Sequence, residues 1–148
     1  MLIRDILRLK GETIFSIEAS GRLSDAVALM AEHDIGSLVV TENGRMAGML
    51  TFREVLKALQ SAGGSLASMR AADVMVTNPI CGDPDQSIDD LREIMTRHHV
   101  RYLPVKDGDT LLGIVSFHDV AKAVIKETSM ENRLLRRYIE SQPSDRPQ

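Results

Sequence analysis

The sequence predicts an α/β (α+β) chain built from two copies of one small unit. Each copy is a three-stranded sheet with two helices, the pair packs about a pseudo-two-fold axis, and a further helix follows at the C-terminus. Three observations predict this. Sliding Leu23–Ala58 forward by 65 positions, the separation of Gly48 and Gly113, lays it on Ile88–Ala123 without a gap, and ten of the 36 aligned positions are identical, among them Asp25/Asp90, Met30/Met95, His33/His98, Phe52/Phe117 and Lys57/Lys122. Chance supplies roughly two or three matches at ordinary composition. Strand-like and helix-like patterns also run in one order in both copies. Finally, the same short motif closes the hairpin of each. A repeat of this length, present only twice, implies two fused copies with clefts between them, where ligands bind.

In copy one, Thr13–Ile17 is rich in β-formers and reads as a short strand that Ser20 and Gly21 end. Ser24 is the expected N-cap of a helix through His33, with Asp25 favourable in its first turn and Ala26, Val27, Leu29 and Met30 on one apolar face. Ser37–Thr41 and Met46–Leu50 are strands joined by Glu42-Asn43-Gly44-Arg45, and Asn-Gly is a strong hairpin signal. Thr51 opens a helix through about Gln60. Copy two repeats the order: a strand at Pro79–Cys81, a helix opened by Asp85–Ser87 and running to about His98, strands Tyr102–Val105 and Leu111–Val115 around the turn Asp107-Gly108-Asp109, and a helix from Ser116 to about Glu127. Ser61–Ser65 is a flexible break. Beyond it, Ala72-Asp-Val-Met75 echoes Arg4-Asp-Ile-Leu7 at an offset of 68. Glu131–Ile139 reads as a separate helix whose Leu134, Leu135, Tyr138 and Ile139 form one stripe needing a partner surface, and Ser141–Gln148 as a frayed polar tail. The expected boundaries are 1–62 for the first domain with its leader, 63–72 for a linker, 73–128 for the second domain and 129–148 for the C-terminal helix and tail.

Bulk properties narrow the function. A half of about 60 residues buries only ~60% of its unfolded surface, so the halves are expected to share a core. The net charge of -3 and pI near 5.8 argue against a nucleic-acid binder, which carries a basic face, and 3% aromatics without Trp argue against a base-stacking platform. One cysteine, Cys81, allows no intrachain disulfide and fits a reducing compartment. No apolar run approaches the ~20 residues of a membrane span, and the charged, amphipathic Met1–Lys10 lacks the apolar segment of a signal peptide. The expectation is a soluble, cytoplasmic protein that contacts neither nucleic acid nor membrane.

The motif carries the chemistry. Copy one has Gly48-Met-Leu-Thr51-Phe-Arg-Glu54 and copy two has Gly113-Ile-Val-Ser116-Phe-His-Asp119. A strand ends and a helix begins at the hydroxyl, and hydroxyl and acid, three residues apart, share one edge of the first turn. Helix N-termini present free N–H groups and a positive dipole end to phosphate, an acid accepts from a sugar diol, and glycine lets a ligand or another backbone come close. Thr-x-x-Glu and Ser-x-x-Asp are equally capping boxes that satisfy backbone donors without a ligand. Recurrence in both copies favours a ligand site, and the two roles are compatible.

With these motifs, with His99-Val-Arg-Tyr-Leu-Pro-Val105 and with the two leaders, residues 2–127 resemble the CBS-domain family: tandem CBS domains forming one Bateman module, of the small stand-alone bacterial type. The resemblance implies an adenosyl ligand between the copies, such as AMP, ADP, ATP, NAD or S-adenosylmethionine, and no catalytic cofactor. It implies that each site takes hydroxyl and acid from one copy and strand residues from the other. Site one would then use Thr51, Arg53 and Glu54 with Asn78, Pro79, Ile80, Val100, Arg101, Tyr102 and Pro104 opposite. Site two would use Ser116, His118 and Asp119 with Thr13, Ile14, Ile35, Gly36 and Ser37. Arg101 pairs with phosphate through parallel hydrogen bonds, and Gly36 stands at its place in the other copy. Site one is therefore expected to hold a phosphorylated ligand, and site two to be weaker, empty, or to take the nucleoside end of a larger ligand. Glu54, longer than the family's usual Asp, alters the ribose contact.

Other features read as structural. Adjacent His98 and His99 point about 100° apart on a helix and do not share an ion, so no metal site is expected. His33 and His98 close helix C-termini, where positive charge is favourable. Cys81 reads as a small buried hydrophobe in a strand, the methionines as core filler, and Arg133, Arg136 and Arg137 as a solvated face. No general base or nucleophile set is designated, so the expectation is a non-catalytic energy-sensing module that regulates a partner and forms a homodimer. The alternatives are an assembly protein with vestigial clefts and a nucleotide-hydrolysing enzyme.

Overall fold

The computed structural model describes residues 1–11 and 13–141. In chain order the elements are α1 (Ile3–Lys10), β1 (Ser16–Glu18), α2 (Leu23–His33), β2 (Ser37–Glu42), β3 (Arg45–Thr51), α3 (Phe52–Ser61), α4 (Ala71–Val74), β4 (Val76–Thr77), α5 (Ile88–His98), β5 (Tyr102–Asp107), β6 (Thr110–Ser116) and α6 (Phe117–Ser141). One sheet has the order β1-β2-β3-β4, and β5 and β6 form a second.

The repeat in sequence is a repeat in register. Val40 faces Gly48 in the first hairpin and Val105 faces Gly113 in the second, and the register shifts between Val40 and Thr41 as it does between Val105 and Lys106. Ile17 of β1 pairs with Val40 in parallel, and its counterpart Gly82 bridges Val105 in parallel. Asn43 and Gly44 both have positive φ, 53° and 76°, the backbone that a tight two-residue hairpin with the right twist requires. α2 and α5 end at His33 and His98, each followed by a residue in the left-handed region, Asp34 and His99.

The two halves do not share one core. Leu23, Ala26, Met30, Leu38, Val40, Leu50 and Ala58 cluster in the first copy, and Ile88, Leu91, Met95, Leu103, Val105, Val115, Val120 and Ala123 in the second. Each cluster is completed by the leader of the other copy. Ile3 and Ile6 of α1 are buried in the second core, and Ala71 of α4 is buried in the first. The docking is matched: Ile3 N donates to Gln86 O (2.9 Å) and Arg4 N to Pro84 O (3.0 Å), while Ala71 N donates to Gly21 O (2.8 Å) and Ala72 N to Ala19 O (2.9 Å). Exchange of leaders supplies the apolar surface that a 60-residue half lacks.

Four local expectations are corrected. Ser24 does not cap α2: the cap position is Arg22, because Leu23 N is satisfied by Met69 O of the incoming leader (2.9 Å) rather than by a side chain. In the second copy Ser87 does cap α5, its hydroxyl accepting from Asp90 N. The strand expected at Thr13–Ile17 is the shorter, shifted Ser16–Glu18. The strand expected at Pro79–Cys81 is absent. Only Gly82 pairs, donating to Pro104 O and accepting from Lys106 N, because Pro79 and Pro84 on either side have no N–H for a ladder. Finally, the helix expected to end near Glu127 and the one expected at Glu131–Ile139 are one helix, α6. No Gly or Pro stands between them to break it. The expected tail begins at Ser141, the last residue of α6, and its remainder, 142–148, lies outside the described residues.

Candidate functional site

Both hydroxyl–acid pairs stand at the start of a helix, as their spacing dictates. Thr51 is the extended cap of α3; its Oγ1 accepts from Arg53 N at 3.3 Å, and its hydroxyl donates to Glu54 Oε2. Ser116 and Asp119 form a reciprocal box: Asp119 N donates to Ser116 Oγ at 3.0 Å, and Ser116 N donates to Asp119 Oδ2 at 2.9 Å. The shorter Asp returns to the backbone amide, whereas Glu54 lies against the hydroxyl.

The two acids differ in their surroundings. Lys10, the last residue of α1, donates from Nζ to Asp119 Oδ2 at 2.7 Å and to Ile114 O at 2.6 Å. Half-burial pushes the Asp119 carboxyl upward, but the hydrogen bonds from Lys10 and Ser116 and the Lys10 charge outweigh it and hold the group below the usual carboxylate range. The sequence reading did not include Lys10. The signal was there: at the 68-residue offset of the leaders, Lys10 aligns with Asn78, a residue assigned to site one. In the structure Asn78 is exposed and has φ 49°, and it carries no ammonium to Glu54.

By backbone, each hydroxyl adjoins the strand of its own hairpin. Thr51 pairs with Ser37 and Ser116 with Tyr102. Gly36 O accepts from Phe52 N (3.2 Å) and Arg101 O from Phe117 N (2.8 Å). Gly36 and Ser37, drawn to site two, thus stand beside Thr51, and Arg101 and Tyr102, drawn to site one, stand beside Ser116. What crosses between copies is the Tyr102 ring, which lies against Gly36 and next to Phe52. That contact brings Tyr102 to the start of α3.

The remaining positions vary. Pro104 is fully buried, and Val100 and Ile35 pack on the second and first cores, so these three support the walls from behind. Thr13, Arg53, Ile80, Arg101 and His118 are exposed, and Ile14 and Pro79 are half-buried. The motif glycines answer to the protein itself. A β-carbon on Gly48 would fall 2.5 Å from Val76 O, and one on Gly113 would fall 2.8 Å from Leu7 Cδ2. At both glycines it is the protein's own chain that comes close. Cys81 lies outside any strand and is half-buried, not a core residue; burial pushes its thiol up, partly offset by Lys106. Among the described residues no group of three His, Cys, Asp or Glu stands together to hold a metal, and no helix is long and apolar enough to cross a membrane.

Comparison with known proteins agrees with this architecture. The CBS-domain family model matches residues 3–61 and 71–126, so each match includes a leader. The chain is 33% identical over 109 residues to the CBS domain-containing protein YhcV of Bacillus subtilis, covering 73% of this chain and 76% of that one. It is 29% identical to the mitochondrial CBSX3 of Arabidopsis thaliana over 147 residues, 93% of this chain and 71% of the other. A solved CBS-domain protein from Burkholderia ambifaria superposes with a TM-score of 0.81 at 32% identity, over 85% of this chain and 95% of that one. At 21% identity and a TM-score of 0.73, the CBS domain pair of protein MJ0100, solved with 5′-methylthioadenosine and S-adenosyl-L-methionine, shares the fold over 84% of this chain and 99% of its own. Two family matches in tandem, each over one structural copy and the leader before it, establish that the chain belongs to the CBS-domain family.

Proposed function

We propose that this chain is a non-catalytic regulatory module that binds an adenosine-containing ligand of the AMP, ADP, ATP, NAD or S-adenosylmethionine class at the start of α3. The observation that carries this is the Thr51–Glu54 pair at a helix N-terminus, with the Tyr102 ring of the other copy packed against Gly36 and Phe52 beside it. The N–H groups and dipole of α3 suit an anionic group, the Glu54 carboxylate suits a ribose diol, and Arg53, exposed and next to Glu54 in the chain, adds a cation. Arg101, which precedes the Tyr102 that reaches across to Gly36, completes the site with Asn78, Pro79 and Ile80. Ser116, His118 and Asp119, with Thr13 and Ile14, form a second, weaker one. The solved pair that holds two adenosine-containing molecules supports the ligand class. Glu54 and Asp119 already serve Thr51 and Lys10, which supports sensing rather than catalysis.

Thermal-shift measurements with these ligands at millimolar concentration test the reading, with calorimetry of AMP on the wild type, Glu54→Gln and Arg101→Ala. Stabilisation of the wild type and weaker binding by Glu54→Gln are expected. Unchanged affinity in Arg101→Ala would remove its phosphate role, and no stabilisation by any of the five would end the reading.

A second reading, an assembly protein, draws on α6. Ile125, Met130, Leu134, Leu135, Tyr138 and Ile139 are each more than half exposed on it, and a second copy of the chain would cover them in a homodimer. Sedimentation of the wild type against Leu134→Glu/Tyr138→Glu separates the two: loss of dimer with ligand binding intact makes assembly and sensing independent.

A further inference from the structure

Resting on the reading of Ser116 and Asp119 as a nucleoside-facing pair, we infer that Lys10 is the specificity-determining residue of site two: its ammonium stands where a sugar diol would meet Asp119, shutting out neutral nucleosides and admitting ligands whose anionic group can take the ammonium over.

Lys10 is held in place by the fold rather than by chance. α1 is pinned to the second copy by buried Ile3 and Ile6, by Leu7 against Gly113, and by backbone bonds to Gln86 and Pro84. Gly11, with φ 94°, ends the helix, its N–H donating to Leu7 O. The last side chain of the helix therefore reaches over β6 with its ammonium bonded to two acceptors, the Asp119 carboxylate and the Ile114 carbonyl. Asp119 is largely covered, with 16% of its side chain exposed, while 35% of the Lys10 side chain stays open to solvent.

The chemistry follows from what each ligand offers in return. A neutral nucleoside that takes Asp119 leaves the ammonium without its carboxylate, and a charged donor stripped of its partner is costly. A phosphate supplies a new charge-assisted acceptor, so the exchange is balanced. Lys122 and Lys126, which line the groove of about 250 Å³ between α1 and α6 together with Lys10 and Asp119, add to the attraction for an anion. Site one has no counterpart, since the aligned leader residue is Asn78. The two sites of one chain would thus read different chemistry, site one accepting the nucleoside with or without its phosphate and site two demanding the charge.

Calorimetric titration of the full chain with adenosine and with AMP, in the wild type, Lys10→Met and Lys10→Arg, tests this. Methionine keeps an unbranched stem without the charge, and Lys10→Gln gives the same comparison should the methionine variant associate. Expected are at most one equivalent of adenosine in the wild type, a second equivalent in Lys10→Met, and a preference for AMP over adenosine at site two that falls about tenfold on losing the ammonium and survives in Lys10→Arg. Equal adenosine stoichiometry and affinity in wild type and Lys10→Met would overturn the role of Lys10 while leaving the proposed function standing. Binding of neither ligand to any of the proteins would overturn the role of Lys10, and the thermal-shift panel of all five ligands then decides the proposed function.

Discussion

Gly36 and Tyr102 approach so closely across the two copies that a β-carbon on Gly36 would fall 1.8 Å from the Tyr102 hydroxyl oxygen and 3.0 Å from Phe52 Cε2. Gly36→Ala therefore drives the ring away from the start of α3. The expected cost is about 1–3 kcal/mol of stability, with weaker ligand binding. Tyr102→Ala removes the obstacle, so the double variant should be less destabilised than the sum of the singles, as a double-mutant cycle by denaturant unfolding will measure.

Gly48 and Gly113 hold equivalent places but meet different neighbours. The added carbon strikes a backbone carbonyl, Val76 O, in the first and the end of a flexible side chain, Leu7, in the second. Gly48→Ala should cost about 2 kcal/mol or more by lifting β4 from β3, and Gly113→Ala distinctly less. Paired thermal melts check the ranking; equal shifts would refute it.

Asp119 gives a pH dependence of known sign. Its folded pKa lies below its unfolded value of about 3.9, so its stabilising contribution is complete above that value and disappears as pH falls through the folded pKa. The stability gap between wild type and Asp119→Asn should therefore be constant near neutrality and close only below about pH 4. His118 and Lys122 flank it on α6, and Lys10 faces it from α1. In an NMR titration, Lys10→Met should move the Asp119 midpoint upward.

The exchanged leaders make a prediction that covalent order does not suggest. Ile3 precedes copy one yet is fully buried in the core of copy two. Ile3→Ala should cost about 2–5 kcal/mol and lower hydrogen-exchange protection first in α5 and β5, sparing α2 and β2.

Whatever was written locally could be read. The Asn43-Gly44 turn and the Thr51 and Ser116 caps each depend on a few neighbouring residues, and the sequence alone indicates them. What depended on partners far along the chain could not be read. Arg22 rather than Ser24 begins α2 because Met69, 47 residues on, supplies the acceptor. Lys10 finds Asp119 over a separation of 109 residues. The strand expected at Pro79–Cys81 fails through simple arithmetic of missing amides, a signal present in the sequence but outweighed by the analogy between copies.

The reciprocal docking of α1 and α4 also bears on how the molecule can be cut and rejoined. A nick at Gly63–Gly64, in the exposed segment after α3, leaves two fragments that each carry the piece the other needs to complete its interior. The fragments should stay together without a peptide bond and reassemble when mixed, while neither folds alone. A protease attacking that segment would cleave the polypeptide and leave the particle whole.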